Sequence, residues 1–168
     1  RDFERGRLIR EAFIPSVDSC LIEVDFKAVE VSVAACYTKD PVLIHYLEDQ
    51  KSDMHRDTAM KCFKLSKDEV SKETRSHIKN KFVFPEFYGD WYKSCCQNIW
   101  KAIDRFDLKT SSGVSLFDHL KGKGITSLGT CHPKERPIKG TFEYLLQQVE
   151  NDLWQKRFKV YSQWKDDE

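Results

Sequence analysis

The chain lacks a net charge of either sign. Its 28 lysines and arginines face 27 aspartates and glutamates, which leaves +1 over 168 residues. Overall charge therefore cannot gather polyanions, and any contact with nucleic acid must come from local patches. No apolar run of 18 residues and no leader peptide is present, so no membrane span is expected and the expected setting is soluble, reducing and cytoplasmic. Six cysteines, at 20, 36, 62, 95, 96 and 131, form no CxxC pair, which removes the common zinc and disulfide-scaffold patterns. Cys20, Cys36 and Cys62 stand in apolar runs and read as core thiols. Cys95-Cys96 with Cys131-His132 is a poor start for a tetrahedral site, because adjacent cysteines cannot easily share one ion. No internal repeat or low-complexity tract occurs. Strand-like sequence is nearly missing too, with one stretch, 20–26, reading as a strand buried on both faces near its end. A lone strand cannot make a sheet, so its partners are either hidden or outside this chain. The first residue is Arg1 rather than Met, as expected of a piece cut from something longer.

What is present is globular: 40% hydrophobic and 33% charged residues support a core rather than disorder. The pattern predicts a predominantly helical α+β fold. Small and apolar residues from Val29 to Ala35 read as a buried helix. Asp40-Pro41 should open a helix over 41–49, and Asp53 should cap one over 54–64. Ser66 and Glu69 fit a capping box that should open another. Thr74 to Phe84 looks helical and basic, with Pro85 ending or kinking it. Residues 89–106 form an aromatic-rich amphipathic helix. Gly113, Gly122, Gly124, Gly129, Pro133 and Pro137 make 107–140 mostly loop, with one short helix near 114–121. Residues 141–164 carry a strong helical pattern that breaks near Phe158. Trp91, Tyr92, Trp100, Trp154, Tyr161 and Trp164 read as packing residues.

Two acids in the run Leu21–Pro41 ask for an explanation. Asp25 closes the strand-like stretch, and Glu30 sits inside an apolar segment. Burying a carboxylate costs several kcal/mol unless it is paired or holds a metal. Asp25 could be a strand-end turn acid or a ligand; Glu30 could pair with a lysine. Further on, Arg75 and Lys79 are spaced i, i+4, as are Phe84 and Tyr88, so each pair shares a helix face. Taken alone, Lys79 and His55 could be solvated, and the rings could be core.

The quoted residues resemble the A-family DNA polymerases, of the bacterial repair and phage replication kind. An arginine-containing lead-in precedes Ala12-Phe13-Ile14-Pro15. Asp25-Phe26-Lys27-Ala28-Val29-Glu30-Val31-Ser32 stands as the family's motif A. Asp53-Met54-His55-Arg56-Asp57-Thr58-Ala59 matches its histidine element. Arg75, Lys79, Phe84-Pro85 and Tyr88-Gly89 look like its motif B. The match is specific over 7–89, weak over 90–140 and moderate over 141–164. The resemblance implies residues 1–50 as partial palm with motif A. Residues 51–168 would be fingers with motif B and a loop-rich insertion near 107–140.

That resemblance implies template-directed DNA synthesis: nucleotidyl transfer from deoxynucleoside triphosphates to a primer 3′-hydroxyl, with two Mg2+ ions in the full enzyme. Asp25 and the Phe26 carbonyl would be metal ligands. Glu30 would lie under the sugar and clash with a 2′-hydroxyl. Lys79, Arg75 and a protonated His55 would hold the triphosphate, with Lys81 in reserve. Phe84 and Tyr88 would stack on the nascent base pair, and Gly89 would stop the helix or act as its hinge. The expected partners are primer-template DNA, deoxynucleoside triphosphates and the rest of a polymerase chain, in a bacterial cell or phage-infected host.

Departures accompany the match. Ser32 replaces the family's usual arginine. Lys79 to Phe84 is one residue longer than the pattern, so either the helix carries a bulge or Lys79 is displaced. Pro85 replaces a glycine, in a form that looks like a divergent phage-type branch. The third motif, H-D-E, is not in this chain, so the piece alone is expected to be inactive. The alternative is a non-catalytic nucleic-acid or protein interaction module on a polymerase-like scaffold. A metal nuclease or phosphohydrolase would need a second carboxylate cluster.

Overall fold

Side-chain caps start four of the described helices. The structure, a computed structural model, describes residues 8–26 and 28–167. After a helical turn at 8–11 come α1 Val29–Thr38, α2 Pro41–Glu48, α3 Met54–Phe63, α4 Lys72–Ile78, α5 Phe84–Phe87, α6 Tyr92–Phe106, α7 Leu116–Gly122, α8 Phe142–Asn151 and α9 Lys159–Asp167. Asp40 caps α2 by accepting from the N–H groups of Val42 and Leu43. Pro41 takes the first helical position, where a missing N–H costs nothing. The second oxygen of Asp40 accepts the backbone N–H of Tyr161 at 3.1 Å, so one buried carboxylate ties α2 to α9. Asp53, Ser71 and Thr141 cap α3, α4 and α8. The Ser66–Glu69 box closes only a 3₁₀ turn, Lys67–Glu69, and a new cap at Ser71 is needed to open α4.

Two helices widen rather than stop. Between α4 and α5, Lys79–Val83 forms a π turn in which Phe84 donates its N–H to the carbonyl of Lys79. The helix is thus continuous from 72 to 87, and the bulge expected as one of two accounts of the Lys79-to-Phe84 spacing is present. Pro85 follows at once; it has no N–H, and its ring crowds the carbonyl four residues back, so a loosened turn is where a helix can pass it. After α8, Asp152–Arg157 repeats the device, with Phe158 donating to Leu153 at 2.8 Å. This is the break expected near Phe158.

The core lies between α3, α4, α6 and α8. From α6, Cys95, Cys96, Ile99, Ala102 and Ile103 point inward at helical spacing, and each large aliphatic side chain so buried contributes roughly 1.5–3 kcal/mol. Phe63 stacks on Phe142 with ring centres 5.9 Å apart. Trp154, Phe158 and Tyr161 surround Phe87, fixing α5 against α9.

The insertion is ordered by a buried ion pair. Lys93 of α6 and Glu143 of α8 are 3% and 1% exposed, 3.6 Å apart. The Lys93 ammonium also donates to the carbonyls of His132 and Glu135, and Glu143 accepts the N–H of Cys131 at 2.9 Å. Gly129, at φ +103, lets the loop pass: a Cβ there would lie 2.5 Å from the Glu143 carboxylate.

Several expectations are corrected. Residues 20–26 form no strand, and all are exposed; without a neighbouring strand there is no ladder to satisfy or bury them. Among the described residues the only β pairing is two isolated bridges, 109 with 115 and 127 with 141. Cys20 and Cys36 are exposed while Cys62 is buried, because the face of α1 that carries Cys36 is uncovered. Trp91 and Trp164 keep a third or more of their surface in solvent. Among the described residues, no helix is long and apolar enough to cross a membrane.

Candidate functional site

Three elements far apart in sequence face one groove. The segment entering α1 supplies Asp25, Phe26 and Glu30; the N-terminus of α3 supplies Asp53 and His55; the α4–α5 helix supplies Arg75, Lys79 and Phe84. All of these line one cavity of about 530 Å³. The sharp entry into α1 is set by Ala28, which takes the left-handed conformation at φ +52, an uncommon choice for a residue with a Cβ.

The cationic wall is organised rather than loose. Arg75 donates from Nε to Asp53 at 2.6 Å, and Asp53 also accepts the N–H of Arg56. Burial acts to raise the Asp53 carboxyl, but the bonds from Arg75 and Arg56 outweigh it and hold it below the usual range. The sequence marks Asp53 only as a cap; its partner lies 22 residues away and no local signal points to it. Lys79 has its ammonium 5.1 Å from the centre of the Phe84 ring, close enough for a cation–π attraction. The π turn makes this pairing, since it sets the two residues one peptide farther apart than α spacing would.

His55 stands against Phe84 edge to face, ring centres 5.7 Å apart. Burial first, then the positive charges of Arg75 and Lys79, push its pKa from 6.5 down to about 4. It is therefore neutral near pH 7 in the chain by itself, whereas the resemblance implies a protonated imidazole against a bound triphosphate. Its Nδ1 is buried with no hydrogen-bond partner, so the ring keeps unspent hydrogen-bonding capacity.

Glu30 lines a second groove as well, about 360 Å³, walled by Val29, Val33, Tyr37, Phe87, Tyr88, Tyr161 and Trp164. Tyr88 donates to Glu30 at 3.5 Å, a long contact. The two rings expected on one face thus part company: Phe84 belongs to the cationic groove, and Tyr88, which is 74% exposed, to the apolar one. Tyr46, which sequence reasoning placed only on an apolar stripe, also lines the cationic groove. It donates to Asp57 at 2.6 Å and accepts from Arg157 at 3.3 Å, and burial, then the Asp57 bond, raise its pKa to about 12.

Metal donors are sparse. Among the described residues no group of three or more histidines, cysteines or acids could hold an ion. Asp25 and Phe26 line the groove, and a carboxylate and a backbone carbonyl are hard oxygen donors. Such donors suit magnesium and can fill only part of its octahedron, with phosphate and water oxygens as the remainder.

The stretch that matches in relatives is 36% identical over 77 residues to DNA polymerase I of Borreliella burgdorferi, covering 46% of this chain and 8% of that protein. It is 40% identical over 77 residues to DNA polymerase I of Bacillus subtilis, with 45% and 9% covered. For Streptococcus pneumoniae serotype 4 DNA polymerase I it is 38% over 78 residues, with 45% and 9%. The matched stretch is thus less than a tenth of those polymerases. No solved structure matches. The family model for DNA polymerase family A matches residues 2–104, more than half the chain and all of the cationic groove: the chain belongs to DNA polymerase family A.

Proposed function

We propose that this chain is the fingers and an adjoining slice of palm of an enzyme that makes DNA on a template, joining deoxynucleoside triphosphates to a primer 3′-hydroxyl. The single observation that carries this reading is the shared groove. An acid at residue 25 and a basic helix some fifty residues later line the same 530 Å³ cavity, so a hard oxygen donor for a metal and the cations that would face a triphosphate border one space. Lys79 would neutralise the phosphoryl tail directly. Arg75, oriented by Asp53, would contribute charge from a fixed position. His55, neutral when the groove is empty, would offer its unpartnered Nδ1 side and gain a proton as anionic oxygens approach. Phe84 would back the base, and Glu30, tethered to Tyr88, would exclude a 2′-hydroxyl.

Asp25 and the carbonyl of Phe26 would hold magnesium, which when bound supplies Lewis-acid charge at the transferring phosphoryl group. Residues 1–50 are assigned to palm and 51–168 to fingers. Supporting the palm assignment, Leu21, Ile22, Val24 and Phe26 are each more than 60% exposed, an apolar run that further palm strands would cover.

Primer extension tests the reading. The longer enzyme that carries this chain should lose extension when Asp25→Asn is made, while its thermal midpoint and duplex binding stay. This chain alone should extend nothing. Full extension by the Asp25→Asn enzyme would sink the proposal, and extension by the isolated chain would sink the claim that the piece is incomplete.

A further inference from the structure

Positive charge is not spread evenly over the chain. Residues 119–140 carry Lys121, Lys123, Lys134, Arg136 and Lys139 against one carboxylate, Glu135. That stretch is +4 in a chain of +1, which leaves −3 elsewhere. All five basic residues are exposed, and the ion pairs of the described residues leave their side chains to solvent. None of the five lines the cationic groove. The stretch also lies beyond the part of the chain that the family model matches, which ends at residue 104.

The backbone of this exposed edge is held at its two ends and at its middle turn. Its two ends meet: Thr126 donates to the Gly140 carbonyl at 3.4 Å, and a Cβ on Gly140 would lie 3.6 Å from the Gly124 carbonyl. Lys121 and Lys123 therefore flank the same corner as Lys139. Phe142 and Glu143 donate to the carbonyls of Ser127 and Leu128 at 2.9 and 2.8 Å. Lys134 and Arg136 ride on the turn whose carbonyls, at His132 and Glu135, are gripped by the buried Lys93. Cationic side chains on a fixed backbone lose little additional freedom when they meet a regular array of phosphates. Residues 119–140 contain no Phe, Trp or Tyr. Binding of single strands leans on aromatic stacking platforms, and this edge has none.

We propose that the loop over residues 119–140 is an added DNA contact outside the groove, one that grips the phosphate backbone of duplex DNA without reading its sequence. It rests on the reading that the chain works on DNA. The partner follows from chemistry: evenly spaced anions, met by exposed ammonium and guanidinium groups.

Fluorescence anisotropy of a short labelled duplex, without nucleotide and across a salt series, tests it on this chain. The variant Lys134→Ala/Arg136→Ala/Lys139→Ala should weaken binding about tenfold or more at low salt, and flatten the slope of log affinity against log salt by about two to three. Lys121→Gln/Lys123→Gln, on the other arm, should flatten it by about one to two, and serves if the triple variant misfolds. Lys72→Ala/Lys101→Ala, which removes exposed charges elsewhere, should leave the slope unchanged. Equal slopes in loop variants and wild type would overturn the proposal. So would an equal loss in the control variant, or binding of single strands in preference to duplex. Lys79→Ala separates the two readings: it should lower binding of inorganic triphosphate and spare the duplex slope. If loop variants keep the wild-type slope while Lys79→Ala still loses triphosphate, the loop proposal fails and the groove stands.

Discussion

Phe84 donates its backbone N–H to the carbonyl of Lys79, five residues back, and the same two residues meet again through their side chains, ammonium over ring at 5.1 Å. One wide turn therefore sets both the path of the helix and the position of the groove's main cation.

Lys79→Ala should lower kcat/KM for primer extension by the longer enzyme by about 10²-fold or more, the usual scale for losing a preorganised charge at a developing anion. The helix should hold, since alanine suits it, so the thermal midpoint should move little. Steady-state kinetics and a melting curve on the same preparation make the check; a loss of less than threefold would remove Lys79 from the site.

Glu30→Ala should let ribonucleotides in. Discrimination between deoxyribonucleotides and ribonucleotides should fall roughly 10- to 200-fold, the range for losing one steric contact in a pocket. Competitive incorporation assays on the longer enzyme read this directly, and unchanged sugar selectivity would rule out the gate.

His55 should titrate near pH 4 in the free chain, against an ordinary 6.5. Its folded pKa is depressed, so the stability it contributes is present above 6.5 and is lost as the pH falls toward 4. Adding inorganic triphosphate should raise the midpoint, because an anion favours imidazolium. An NMR titration of the His55 ring with and without triphosphate decides the matter; a midpoint that stays put would show that the anion does not reach this wall.

Glu86, 1% exposed, accepts from Trp154 Nε1 at 3.0 Å and leaves its other oxygen unpartnered. Burial first, then the neighbouring Glu150 carboxylate, pushes its pKa from 4.5 up to about 8. The sign is opposite to that of His55: its stability is fully present below 4.5 and is lost as pH rises through 8, at up to about 1.4 kcal/mol per unit. Glu86→Gln, which keeps the shape without the charge, should therefore be near neutral at pH 4.5 and raise the thermal midpoint at pH 8.5. Equal melting shifts at both pH values would refute it.

Lys93→Met should cost about 3–5 kcal/mol, because it strands the buried Glu143 carboxylate. Lys93→Met/Glu143→Gln should recover part of that loss. Urea unfolding of the three proteins gives the values, and a loss below 1 kcal/mol for the single change would mean that the pair is not buried in solution.

What was legible in the sequence was local. Asp40, Asp53 and Ser66–Glu69 cap within three residues of themselves, so their signals do not depend on the rest of the chain. The five-residue step from Lys79 to Phe84 is visible in the sequence as a length, while the wide turn that houses it is seen only in the structure. The grip of Lys93 on the 131–135 turn was invisible, since the pair that makes it is 50 residues apart and a lysine in an amphipathic helix reads as solvated. The run Leu21–Phe26 was misread because a strand pattern states a preference, and the preference is met only where a second strand accepts its hydrogen bonds. The charge state of His55 follows first from its burial and then from Arg75 and Lys79 on another helix, which periodicity cannot bring together.

The widened turn at 79–83 has one more implication, for how such helices can change length. Adding a residue to an ordinary α-helix swings everything beyond it by about 100°, which would carry the rings at 84 and 87 off their partners. Housing the surplus in a single loose coil leaves both ends aimed as before. A fold equipped in this way can absorb an insertion in its most constrained segment, while its neighbours keep their packing.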